Sequence, residues 1–149
     1  MVTTIRKVEG IVPAFIDVLF EHLRREDSDL RLAILLIANH FFQRSHNFRL
    51  ELINSIQVYT LKEYNELHFP PQDFLVYMLE TDPLHYPLPK PAEAANILKK
   101  EAMVTLRYWI EKFGAGYAKL QKLENFLKNS KSLDWENSAA ELQVTFVLS

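Results

Sequence analysis

A chain of 149 residues that is 48% hydrophobic and 12% aromatic suits one globular domain with a core of its own, and two domains would be crowded. It has no cysteine, which excludes disulfides, thiolate catalysis and cysteine-based zinc sites and fits a reducing compartment. The formal net charge of −2 does not announce a nucleic-acid binder, yet the charge is unevenly placed: residues 99–131 hold eight basic and three acidic side chains, and 50–98 hold two basic and seven acidic ones. Such asymmetry is either an uneven solvated face or a basic surface that meets an acidic partner. The longest apolar run, 32–38, is far short of a membrane span, and the first residues lack the basic-then-apolar pattern of a secretory signal.

Three glycines and long apolar periodicities predict helices throughout. Pro13 is expected to open the first helix, with Phe15, Ile16, Leu19, Phe20 and Leu23 on one face. Asp29 is expected to cap a second helix running to about Arg44. That helix is apolar nearly all round over 32–38, the pattern of a helix sandwiched between others. Asn47 is expected to cap a third, with Phe48, Leu52, Ile56 and Tyr59 on its stripe. Pro70-Pro71 starts a new element whose apolar positions are Phe74, Leu75, Met78 and Leu79. Pro83, Pro87, Pro89 and Pro91 make 81–91 an extended connection, because proline removes donors and restricts the residue before it. Ala95, Leu98, Ala102, Leu106, Trp109 and Phe113 then form the stripe of a long helix. Gly114 and Gly116 mark a tight corner, and Tyr117, Leu120, Leu123 and Phe126 carry a last helix to about Asn129. Beyond residue 138 the apolar side chains alternate like a strand that has no pairing partner, so a loosely ordered tail is expected.

No metalloprotease helix, phosphate-cradling glycine loop or nucleophile elbow occurs, so no catalytic residue is assigned and no cofactor is implied. Histidines at 22, 40, 46, 68 and 85 are scattered, and His40 and His46 point to different helix faces. Glu26, Asp27 and Asp29 read as capping and helix-dipole residues rather than a cation site. Trp109 lies on a core stripe, whereas Trp135 either packs back on the bundle or anchors a partner. The most distinctive segment is Arg44-Ser45-His46-Asn47-Phe48-Arg49, two arginines and a histidine at an inter-helix turn. These groups either cap helix carbonyls or form a basic corner for a carboxylate-bearing partner, and their chemistry alone does not choose.

Four pieces in order carry a resemblance. They are Arg31-Leu32 through Phe42 and Arg44-Ser45-His46-Asn47-Phe48-Arg49; Thr81-Asp82-Pro83 with Pro87-Leu88-Pro89-Lys90-Pro91; Trp109-Ile110-Glu111-Lys112-Phe113-Gly114 with Tyr117 and Lys119-Leu120; and Phe126-Leu127-Lys128 with Leu133-Asp134-Trp135. Together they resemble the N-terminal VHS-type domain of the UV-stimulated scaffold protein A family. The chain departs from that pattern by an insertion between Tyr59 and Thr81 and by Leu123-Glu124 where the family has Gly-Tyr. It is read as a fragment, a truncated product or a short homologue, and without cysteine it does not hold the family's zinc-binding region.

The resemblance implies an all-α, VHS/ENTH-like right-handed superhelix of about six helices over 1–135, followed by a tail over 136–149. It implies a non-enzymatic docking domain of a nuclear, chromatin-associated scaffold for transcription-coupled nucleotide excision repair. The expected partners are the WD-repeat Cockayne syndrome subunit of the ubiquitin ligase and the stalled RNA polymerase II complex, with ubiquitin a further candidate and no membrane or small-molecule substrate. The expected contact residues are Arg44, His46, Arg49, Lys100, Arg107, Lys112 and Lys119. Two other readings share the architecture: an endosomal VHS-type adaptor for ubiquitin or cargo, and a reader of the phosphorylated RNA polymerase II tail.

Overall fold

Apolar residues recurring every three to four positions fold into six α-helices in a computed structural model that describes residues 2–56, 74–80, 83, 86–129 and 135. These are α1 (Val2–Leu23), α2 (Ser28–Arg44), α3 (His46–Ser55), α4 (Phe74–Leu79), α5 (Ala92–Phe113) and α6 (Ala118–Asn129), with a 3₁₀ turn at Gly114–Gly116 between the last two. The described residues contain no strand, and none of their helices is long and apolar enough to cross a membrane. The expectations placed on Tyr59, Pro70-Pro71, Thr81-Asp82 and the tail lie outside the described residues.

Pro13 does not open α1 but sits inside it. The ring removes one intrahelical hydrogen bond, and burial of Ile16, Leu19 and Leu23 on one face outweighs that local loss. The expected apolar face is otherwise right, with Phe15 and Phe20 packed at its edges. The cap of α2 is Asp27, not Asp29: its carboxylate accepts from the backbone N–H of Asp29 at 3.0 Å and of Leu30 at 3.2 Å. Asp29 sits in the first turn, where the positive end of the helix dipole favours it. One side of α2 remains open, because Leu36 and Ile37 are exposed where sandwiching was expected.

Ser45 alone joins α2 to α3. Its extended backbone lets its N–H donate to Phe41 O at 2.9 Å while its hydroxyl accepts from Phe48 N at 3.1 Å. Ser45 thus does the capping expected of Asn47, which falls inside α3. Replacing Ser45 by alanine removes the acceptor and is expected to cost about 1 kcal/mol of stability, read from a urea titration.

The core joins α2 to α1, α3 and α5, and α5 to α4 and α6. At its centre Phe42 and Trp109 stack with centroids 3.9 Å apart and planes 9° from parallel. The Trp109 indole N–H donates to Asn39 Oδ1 at 2.8 Å, and Gln43 Nε2 donates to the same oxygen at 3.0 Å. Glu80 ends α4 with a φ of 55°, a left-handed position usually given to glycine. Its carboxylate accepts from the Leu88 N–H at 2.8 Å, and Ser28 Oγ donates to Pro89 O at 3.3 Å. These two bonds pin the proline-rich connection and seat Leu88 in the core.

Candidate docking surface

The one-residue turn at Ser45 brings the end of α2 and the start of α3 against the 3₁₀ turn that follows α5. Three aromatic side chains form the floor there. Phe113 lies edge-on to Phe42 with centroids 5.5 Å apart, while Tyr117 and Tyr108 are half-buried. Cations cover this floor. The Arg49 guanidinium sits 4.4 Å from the Phe113 ring centre, donates to Phe42 O at 2.7 Å and donates to the Tyr117 hydroxyl at 3.1 Å. His46 Nδ1 lies 2.5 Å from the same hydroxyl. With hydrogen on Nε2, Nδ1 of the imidazole accepts a hydrogen bond from the Tyr117 hydroxyl, and the Nε2–H is the ring's other donor.

Lys112 extends the cluster along α5. Its ammonium lies 5.4 Å from both the Tyr108 and Phe113 ring centres and donates to the Tyr108 hydroxyl at 3.0 Å. From α6, Lys119 Nζ donates to Asn54 O at 3.3 Å and so caps the end of α3. Arg44 stays exposed and donates to His40 O at 2.9 Å, one turn back on its own helix. Three expected contact residues meet on this floor, His46, Arg49 and Lys112, while Arg44 folds back along α2 and Lys119 lies against Asn54 at the other end of α3. The capping reading of this segment is realised. Arg44, Arg49 and Lys119 neutralise helix-end carbonyls, and the same cations give the surface its charge.

The other two stand elsewhere. Arg107 pairs with Glu111 at 3.2 Å, donates to Trp135 O at 2.8 Å and lies 5.0 Å from the Trp135 ring centre. Trp135 is buried, so it packs back on the bundle, and Arg107 is the residue that receives it. Lys100 is exposed about 18 Å back along α5 from Lys112, from the rise of 1.5 Å per residue. No group of three His, Asp or Glu side chains able to hold a metal occurs among the described residues. The aromatic floor was missed by sequence reasoning, which counted charges at this corner and placed Phe113 and Tyr117 on core stripes.

The family model of the UVSSA N-terminal domain matches residues 1–131. The chain belongs to that family. Among curated UVSSA relatives, UV-stimulated scaffold protein A of Rattus norvegicus is 35% identical over 119 residues, covering 80% of this chain and 14% of the rat protein. The Xenopus tropicalis protein of that name is 34% identical over 125 residues, 84% of this chain and 15% of its own length. The Danio rerio protein is 30% identical over 135 residues, 91% of this chain and 16% of its own. The chain thus spans about one-seventh of these UVSSA proteins, and the family-model match over residues 1–131 contains the whole basic corner.

Proposed function

We propose that this UVSSA-family domain is a non-enzymatic, VHS-like docking module of a nuclear, chromatin-associated scaffold in the response to UV damage. In this reading it binds the WD-repeat Cockayne syndrome subunit of the ubiquitin ligase at stalled RNA polymerase II, through the corner of His46, Arg49 and Lys112. The names of the matched relatives support the scaffold role. One observation carries the choice of surface: Arg49 of α3 and Lys112 of α5 lie over Phe113, and His46 and Arg49 of α3 both hydrogen-bond the Tyr117 hydroxyl. Aromatic area beside positive charge is the composition of interface hot spots, and positive charge steers an acidic partner.

Titration of the purified domain with the WD-repeat subunit tests this. Lys112→Glu is expected to weaken binding about tenfold, about 1.4 kcal/mol, and to reduce the loss of affinity caused by added salt. Lys100→Glu, outside the corner, is expected to leave it unchanged. Equal affinity for wild type and Lys112→Glu contradicts the proposal. The reading as a phosphoserine reader needs two free arginines, and Arg49 is already held by Phe42 O, Tyr117 and Phe113.

A further inference from the structure

A second surface lies away from the basic corner, along the seam between α1 and α2. Phe15 of α1 meets Phe41 of α2 edge-on with centroids 5.3 Å apart, and both rings rest on the buried Phe48. At the other end of the seam, Leu23 O accepts from Arg31 Nε at 2.9 Å. These two contacts fix an antiparallel register that sets Val18 at the level of Ile37 and Ile11 toward Arg44. On α1, Ile11, Phe15 and Val18 follow helical spacing on one face, and on α2 Ile37 precedes Phe41 by one turn. Ile11 is 61%, Val18 47%, Ile37 42% and Phe41 40% exposed. Single exposed apolar residues need no explanation, but a contiguous row over a ring pair marks an interaction site.

The charges beside the row favour one kind of occupant. Exposed Arg44 and His40 stand at the Phe41 end, and at the opposite end the exposed carboxylates of Glu21, Glu26, Asp27 and Asp29 outnumber the exposed Arg24 and Arg25. A surface that is basic at one end and acidic at the other is complementary to itself after a half-turn. We propose that the α1–α2 seam pairs two copies of this chain about a two-fold axis, with Val18 and Ile37 near the axis. Arg44 of each copy then faces Asp29 of the other, the isologous arrangement of a symmetric dimer.

Sedimentation equilibrium over a concentration series tests the proposal. The wild-type chain is expected to approach twice its monomer mass as concentration rises. Val18→Asp is expected to hold it at the monomer mass with unchanged far-UV circular dichroism, since Val18 is half-exposed. Arg44→Glu and Asp29→Lys are each expected to lower the dimer fraction, and the double variant to restore it, a result that loss of folding does not produce. A monomer at every concentration overturns the proposal, as does a dimer indifferent to Val18→Asp and to both charge reversals. Seam amide shifts on adding monoubiquitin to a chain that stays monomeric also overturn it and assign the seam to ubiquitin.

Discussion

Trp109→Ala is expected to lower the unfolding free energy by about 3–5 kcal/mol, the range for removing a fully buried tryptophan. At about 3 °C per kcal/mol for a domain of this size, the melting temperature falls by about 10 °C or more. The size of the effect follows from what the indole joins. It stacks on Phe42 of α2, lies 6.4 Å from the Phe74 ring of α4 and belongs to α5, so three helices lose a shared surface at once. Its N–H is also one of two donors to Asn39 Oδ1. Trp109→Phe separates the two contributions. It keeps most of the stack and removes the donor, and its expected cost is about 1–2 kcal/mol. Calorimetry on both variants checks the difference.

Arg31→Ala is expected to cost about 3 kcal/mol or more, because the bonds Arg31 makes to backbone carbonyls lose their donor. Only 4% of Arg31 is exposed. Its Nε donates to Leu23 O at 2.9 Å and Arg25 O at 3.0 Å, its Nη1 donates to Tyr77 O at 3.2 Å, and the guanidinium lies 5.1 Å from the Tyr77 ring centre. One side chain thus satisfies the carbonyl end of α1, the turn that follows and the middle of α4. Arg31→Lys keeps the charge, but a single ammonium does not span three carbonyls, and a loss of about 2 kcal/mol is expected. Burial pushes the Arg31 guanidinium below its ordinary range, while Tyr77, Glu26 and Asp27 pull the other way. A depressed pKa in a base penalises the charged form in the fold at every pH below that pKa. Arginine remains protonated at neutral pH, so the deficit of Arg31→Ala does not titrate there. Urea titrations at two pH values on either side of neutrality, giving equal deficits, are the check.

The helices were legible where apolar spacing ran long. The stripe from Ala95 to Phe113 gave α5, and the faces of α1 and α6 followed the same logic. Their starts were less legible because adjacent residues compete for one job. Asp27 and Asp29 are both good caps, as are Ser45 and Asn47, and the choice falls to whichever residue the packing leaves in an extended conformation. Pro13 misled for a related reason: its local preference for a first turn is weaker than the burial that continues α1 through it. The order of the motifs located the basic corner, yet not its construction. Cation–ring and cation–carbonyl contacts join residues about seventy positions apart, as between His46 or Arg49 and Tyr117, and no local pattern encodes such a pair. For the same reason Arg31, quoted above as part of a motif, emerges as an internal clamp, and Arg107 as the seat of Trp135 rather than part of the corner.

The internal role of Arg49 also changes which variants inform on binding. Removing it strips a donor from Phe42 O and uncovers Phe113, so lost binding in such a variant does not separate contact from damage. Lys112 and His46 are exposed and serve better.

The most direct measurement is an amide chemical-shift map of the isotope-labelled domain, recorded with and without the unlabelled WD-repeat subunit. The account predicts that the largest changes fall on residues 45–49 and 112–117, while the α1–α2 seam and Lys100 stay in place. A map centred on Ile11, Val18 and Ile37, or the absence of any change at saturating partner, would contradict it.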